Sequence, residues 1–284
     1  MDIIIIAFFI VALFFIIGAF SSRHLRIRHF EIERKDMMGF KIVLLSDLHG
    51  RIIGDDNKKL IDAIILQKPD LVIMAGDMID AYDGNAKSII NLVKNLHSKV
   101  DMVAVRGNHF YKACRNARNE MEDAFDKYGV TSLKNTRIVF HYKENIICID
   151  GLDDPIASAE FKDNKKKDKL KRNRVIIKNA IDKMQDDKVC CDYRILVCHR
   201  PSYVDLIEKA DYDLALSGHT HGGQWALPFG IEVLGDEAQF FPKKNMQSGL
   251  HYHNKMPLII TSGIGFSNVK LRTYMPPEIV TITF

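Results

Sequence analysis

The chain has 284 residues, 47% hydrophobic and 27% charged, which is enough apolar content for one substantial core and a small appendage. Its formal net charge of +4 is too mild for a dedicated nucleic-acid binder, so no nucleic-acid partner is expected. The five cysteines (Cys114, Cys148, Cys190, Cys191, Cys198) are odd in number and lack CxxC spacing, which reads as free thiols in a reducing compartment rather than a disulfide framework.

From Ile3 to Phe20 the chain is continuously apolar, with Gly18 its weakest point, about the minimum length for crossing a hydrocarbon core. Asp2 is the only charged side chain before the run, and no small-residue cleavage site follows it. Residues 1–22 are therefore read as a single-pass anchor in the cell membrane. Arg23, Arg26 and Arg28 lie on the C-terminal flank and favour a cytoplasmic placement of the remainder. Residues 23–38 read as a basic, charged connector, and the globular domain spans 39–284.

Strand and helix patterns alternate through that domain. Lys41 to Leu45 is a run of strand formers, residues 56–67 show a helical period ended by Pro69, and Asp70 to Met74 is again strand-like. Ser88 to Leu96 is helical, Val100 to Val105 a strand, and residues 115–128 a helix with Met121, Ala124 and Phe125 on one face. Strands are predicted at 137–140, 145–149, 194–198, 213–216, 258–261 and 279–282, with a helix from Val175 to Met184. Alternating units with continuously apolar strands imply α/β layers with helices outside. Lys162 to Arg174 is dense in Lys and Arg, either a solvated face or a basic rim near anionic groups. Trp225, Phe229, Phe240 and Phe241 either line a cleft or pack the core.

Chemistry enters at the strand ends. Ser217-Gly218-His219-Thr220-His221-Gly222-Gly223-Gln224 follows an apolar run, and its glycines allow two imidazoles to reach one small centre. Asp47 and His49, Asp77, Asn108, and His199 also follow strand-like runs, where ligand sites form in open α/β sheets. Each alone reads equally well as a turn or cap. Together, two carboxylates, one amide and four imidazoles exceed a single tetrahedral zinc site and suit two divalent cations sharing a carboxylate.

The ordered set Asp47-x-His49, Gly76-Asp77-x-x-Asp80, Gly107-Asn108-His109, His199 and Gly218-His219-x-His221 resembles the calcineurin-like metallophosphoesterase superfamily. Gly222-Gly223-Gln224, His199-Arg200-Pro201 and the tail from Leu271-Arg272 to Glu278-Ile279 resemble its YkuE/YaeI-like bacterial branch, often membrane-anchored. The resemblance covers the chain from about Phe40 onward. It implies a four-layer α/β/β/α sandwich and a metal-dependent phosphoric ester hydrolase holding two divalent ions (Mn, Fe or Zn). Asp47, His49 and His221 would hold one ion, Asn108, His199 and His219 the other, with Asp77 bridging. A metal-bridging hydroxide would attack phosphorus, His109 would act as general acid, and Asp80 would orient His109. Phe110 departs from the family, which usually has Asp or Glu there, and is expected to alter support of that loop. The implied substrate is a phosphodiester or phosphomonoester at the membrane surface, including lipid-linked esters. A UDP-2,3-diacylglucosamine-type lipid-precursor pyrophosphate hydrolase and a non-catalytic interaction module are the alternatives.

Overall fold

The computed structural model describes residues 2–21, 23–82, 84–155, 166–185, 189–207, 212–227, 231–233, 242, 246–267 and 269–284. Two six-stranded sheets form its centre. The first runs in the order β1 (Arg26–Glu31), β14 (Glu278–Thr283), β2 (Lys41–Leu45), β3 (Leu71–Ala75), β4 (Asp101–Val105) and β5 (Val130–Leu133). The second runs β12 (Gly249–His253), β13 (Met256–Ile260), β9 (Leu214–Ser217), β8 (Tyr193–Cys198), β7 (Asn145–Leu152) and β6 (Thr136–Tyr142). In the first sheet β2 through β5 are parallel, and in the second β13, β9, β8 and β7 are parallel.

Period-2 alternation sorts these strands into layers. Ile42 and Leu44 of β2, and Leu71 and Ile73 of β3, face a central layer shared with Ile147, Ile149, Ile195 and Leu216 from the other sheet. The alternate residues Val43, Leu45, Val72 and Met74 pack under α2 (Lys58–Leu66), α3 (Lys87–Leu96) and α5 (Arg115–Tyr128). On the far side, Leu196, Cys198 and Ala215 pack against Ile177, Ile181 and Met184 of α6 (Lys166–Gln185). Three apolar layers separate helix, sheet, sheet and helix, which is the four-layer α/β/β/α sandwich.

α1 (Asp2–Ser21) is apolar along its length and mostly exposed, the one described helix long and apolar enough to cross a membrane. Its C-terminal part touches the domain. A Cβ on Gly18 would meet Thr273 Cγ2 at 2.6 Å and the Arg272 carbonyl at 3.0 Å, so glycine permits that approach.

Two expectations are corrected, and one strand is added. Residues 23–38 are not simply a connector, because Arg26–Glu31 forms β1, parallel to β14. Charge concealed the strand: Arg26 and Arg28 both pair with buried Glu278, at 2.6 and 3.1 Å, while Ile27 packs on the outer layer and Phe30 on the central one. A further strand, β12, pairs antiparallel with β13 where no strand was anticipated. The thiol reading fails as well, since Cys148 and Cys191 form a disulfide with Cα atoms 5.7 Å apart, with Cys114, Cys190 and Cys198 outside the bridge. Parallel pairing of β7 with β8 puts Ile147 beside Tyr193, which brings the two cysteines together across 43 residues. The bridge removes the cysteine argument for a reducing compartment.

Closing a 43-residue loop restricts the unfolded chain, so Cys191→Ser should lower the stability of the oxidised protein by about 2–4 kcal/mol. Melting curves with and without reductant check this: the native chain should lose stability on reduction and the variant should not respond. Of the basic segment, residues 162–165 lie outside the described residues and the rest enters α6. Phe229, Phe240 and Phe241 also lie outside the described residues, while Trp225 is part-exposed.

Candidate metal centre

Every sequence-predicted site residue sits just past the carboxyl end of a parallel strand. Asp47 and His49 follow β2, Asp77 and Asp80 follow β3, and Asn108 and His109 open α4 (Asn108–Lys112) after β4. His199 follows β8, and His219 and His221 follow β9. The two sheets face each other, so the ends of five strands converge. Asp47, His49, Asp77, His219 and His221 all adopt positive φ between 45° and 71°, conformations uncommon outside glycine and found where surrounding structure imposes them. Gly107 leaves room for the carboxylate beside it, because a Cβ there would collide with the Asp77 side chain and its backbone nitrogen.

The donor atoms form interlocking groups. Asp47, His49 and His221 offer ligand atoms within 4.8 Å of one another, as do Asp77, His199 and His219. Asp77 Oδ2 lies 3.0 Å from His199 Nε2 and 3.8 Å from His49 Nε2, so it faces both groups. Asp47 Oδ1 is 3.5 Å from His221 Nε2, 3.8 Å from His49 Nε2 and 4.0 Å from His199 Nε2. The remaining carboxylate oxygens are spent on backbone. Asp77 Oδ1 accepts from the His109 N–H at 2.8 Å and Asp47 Oδ2 from the His219 N–H at 2.9 Å.

Tautomers are set from outside the cluster. His199 Nδ1 bonds the Ala75 carbonyl at 2.8 Å, which leaves Nε2 turned toward Asp77. His49 Nδ1 bonds Asp80 Oδ2 at 3.3 Å and turns Nε2 toward both aspartates. Asp47 Oδ1, His49 Nε2 and Asn108 Oδ1 are buried without a hydrogen-bond partner. Buried polar atoms of this kind are costly unless something pairs with them. A carboxylate oxygen and an imidazole nitrogen 3.8 Å apart, with a buried amide oxygen also unpartnered, suit a divalent cation of the Mn, Fe or Zn type.

The electrostatics agree. Burial pushes His49 down, but Asp47, Asp80 and Asp77 outweigh it and raise its pKa to about 9. Burial likewise opposes protonation of His199, and Asp77 and Asp47 again prevail, raising it to about 9. Burial would raise Asp47 and Asp77, yet the surrounding histidines hold both well below the usual carboxylate range. The negative field therefore attracts positive charge to the centre of the cluster. His109 behaves oppositely: burial, opposed by Asp77, lowers it to about 4, so this imidazole is neutral at pH 7.

Asp80, which the resemblance has orienting His109, stands between two imidazoles. It lies 3.8 Å from His109 Nδ1 and closer, at 3.3 Å, to His49, and His109 Nδ1 is buried without a hydrogen-bond partner. Asp80→Asn is therefore expected to weaken metal binding at the cluster that contains His49 by roughly 10- to 100-fold, the size of an outer-shell loss. Titration of the stripped protein with Mn or Zn measures this. Unchanged affinity with a slower rate would instead tie Asp80 to His109. Phe110 is buried, with the Arg106 guanidinium 4.3 Å from its ring centroid, so an aromatic–cation contact supports the loop where an acid was expected.

Two arginines escaped assignment in the sequence. Arg272 is fully buried; it donates to the carbonyls of Gly265 and Ser262, both at 2.8 Å, and lies 3.2 Å from His221 Nδ1. Burial lowers its pKa to about 9. Arg200 donates to Asp154 at 2.9 Å and to His219 Nε2 at 3.0 Å. The His199-Arg200-Pro201 and Leu271-Arg272 motifs contain both arginines, but neither motif says which side chain they meet.

The sequence profile of the calcineurin-like phosphoesterase family matches residues 40–223, which include every one of these candidate ligands. The chain belongs to this family. Among relatives, metallophosphoesterase Cj0846 of Campylobacter jejuni is 30% identical over 88% of this chain and 59% of its own length. Metallophosphoesterases YkoQ and YkuE of Bacillus subtilis are 25% and 27% identical, over 91% and 86% of this chain and 90% and 79% of theirs. A zebrafish transmembrane protein with a metallophosphoesterase domain is 24% identical over 87% of this chain and 54% of its own. In structure, the sulfate thiohydrolase SoxB of Thermus thermophilus matches with a TM-score of 0.50 at 12% identity, covering 89% of this chain and 58% of that one, a likeness of fold. As a member of this family, the chain is a metal-dependent phosphoric ester hydrolase.

Proposed function

We propose that the chain is a dinuclear phosphoesterase working at a membrane surface. Asp47, His49 and His221 hold one divalent ion, and Asn108, His199 and His219 hold the second. Asp77 reaches both. The observation that carries this reading is the pair of buried, unpartnered donor atoms Asp47 Oδ1 and His49 Nε2, 3.8 Å apart, beside an aspartate that faces both histidine groups. Divalent cations bound there would neutralise charge on a phosphoryl group and activate water at neutral pH. The residues of the chain do the rest. Asp47 and Asp77 stay ionised, His49 and His199 present Nε2, and Arg272 and Arg200 keep His221 and His219 in place. His109, at the edge of the cluster with its ring 4.5 Å from that of His49, is placed to hold a proton against the leaving oxygen.

The apolar helix and the transmembrane relative support anchoring through α1. Arg23, Arg26 and Arg28 on its flank favour a cytoplasmic catalytic domain, now without support from the cysteines. Filled ligand positions speak against a non-catalytic module, and no observation favours the lipid-precursor pyrophosphate hydrolase. The test uses the full chain in detergent, stripped with chelator and resupplied with Mn, Fe or Zn. Hydrolysis of nitrophenyl phosphate mono- or diesters should vanish on stripping and return with two ions per chain. Full activity with one ion would overturn the dinuclear reading.

A further inference from the structure

Beside the metal centre, a short hairpin exposes an apolar face. β10 (Ala226–Leu227) pairs antiparallel with β11 (Ile231–Glu232), setting Leu227 opposite Ile231 and Ala226 opposite Glu232. Alternation along the hairpin buries Ala226 and Glu232, while Trp225, Leu227 and Ile231 are 39%, 40% and 48% exposed. A strand face turned to water ordinarily carries polar residues there. Here it carries the only tryptophan of the chain and two branched aliphatics.

This face adjoins the segment that receives the C-terminal part of α1. Trp225 is bridged to Thr273, and its indole Nε1 donates to the Leu271 carbonyl at 3.1 Å. The same segment receives α1: Gly18 lies against Thr273, the Arg272 carbonyl and Leu271, and Phe14 lies 6.4 Å from Tyr274, ring to ring. A helix of 20 residues is about 30 Å long, just enough to span the hydrocarbon, so its C-terminal end lies at the membrane surface. Gly18 is three residues from that end, about 4.5 Å along the axis. Whatever touches Gly18 is therefore at the depth of the lipid headgroups, and Trp225 is one strand away. That depth favours a ring with an apolar body and a hydrogen-bonding edge.

We propose that the Trp225–Leu227–Ile231 face is seated in the lipid–water interface of the bilayer that α1 crosses. The proposal rests on the anchor reading above. Gln224 ties the hairpin to the site, because it directly follows the His221–Gly223 turn and donates to the Leu271 carbonyl at 2.9 Å. The metal centre is thus held against the membrane surface, where it meets phosphate esters carried by lipid-embedded molecules rather than drawing only on the aqueous pool.

The lone tryptophan makes the test direct. The full chain is reconstituted into phosphatidylcholine–phosphatidylglycerol vesicles, co-flotation is checked, and Trp fluorescence is read with lipids carrying a doxyl quencher near the headgroup or deep in the chain, and with aqueous iodide. Strong quenching by the shallow doxyl, weaker quenching by the deep one and protection from iodide are expected. Leu227→Ser with Ile231→Ser should still float with vesicles and hydrolyse a water-soluble nitrophenyl ester, yet lose the shallow quenching. A floating native protein whose tryptophan is open to iodide and insensitive to both doxyl lipids would overturn the docking proposal while leaving the anchor intact. Failure to float would overturn the anchor and this proposal with it, and neither result touches the metal-centre reading.

Discussion

Asp77→Asn should abolish hydrolysis of aryl phosphate esters and lower the metal content of the purified protein. The replacement is isosteric, and its amide oxygen can still accept the His109 N–H that now bonds Asp77 Oδ1 at 2.8 Å. Gly107 keeps the same close approach, so the fold has no steric reason to change. What disappears is the negative charge 3.0 Å from His199 Nε2 and 3.8 Å from His49 Nε2, the one carboxylate assigned to both ions. Losing an outer-shell partner costs roughly 10- to 100-fold in affinity or activity, and loss of a shared ligand should exceed that. Metal analysis beside kinetics checks the result, with a melting curve to confirm folding. Near-native activity at full metal occupancy would remove Asp77 from the bridging role.

The α/β layering was legible because its strands are buried on both faces, while the four-layer sandwich came from the family resemblance. Lys41 to Leu45 and Asp70 to Met74 read as continuous apolar runs, and in the structure alternate residues of each serve the central and outer layers. The edges were less legible for the same physical reason. At β1 the strand needs only one buried neighbour, and its arginines find partners in Glu278, 252 residues away at Arg26. No local pattern reports a carboxylate at that distance. The Cys148–Cys191 bridge was hidden likewise, since the register of β7 on β8 is a tertiary fact.

The site was legible to the depth of its ligands and little further. DxH, GD, GNH and GHTH stand directly after strand-like runs, so strand ends and ligand types coincide within a few residues of sequence. Roles that depend on which neighbour a side chain chooses were not readable. Asp80 lies between two imidazoles and takes His49 at 3.3 Å over His109 at 3.8 Å, while its other oxygen accepts the Tyr82 N–H at 2.7 Å. Arg272 reaches His221 from a segment 51 residues downstream and buries a full guanidinium to do so.

His109→Ala should separate proton transfer from metal binding. The imidazole is not assigned as a ligand, so the bound metal should remain while kcat falls by about two to four orders of magnitude, the usual range for a lost acid or base. Its low pKa of about 4, set by burial against the pull of Asp77, leaves the ring neutral at pH 7 before substrate binds. A neutral imidazole can still donate an N–H, and the approaching negative charge of a phosphate ester favours the protonated form. The defect should therefore depend on the leaving group. Nitrophenolate departs with little proton assistance, whereas an alkoxide needs it, so an alkyl ester should suffer far more than a nitrophenyl ester. His219→Ala provides the contrast, because loss of a ligand should deplete metal and slow both substrates alike. Equal losses on the two esters in His109→Ala, or metal depletion in that variant, would show that His109 serves the metal centre itself and not the leaving oxygen.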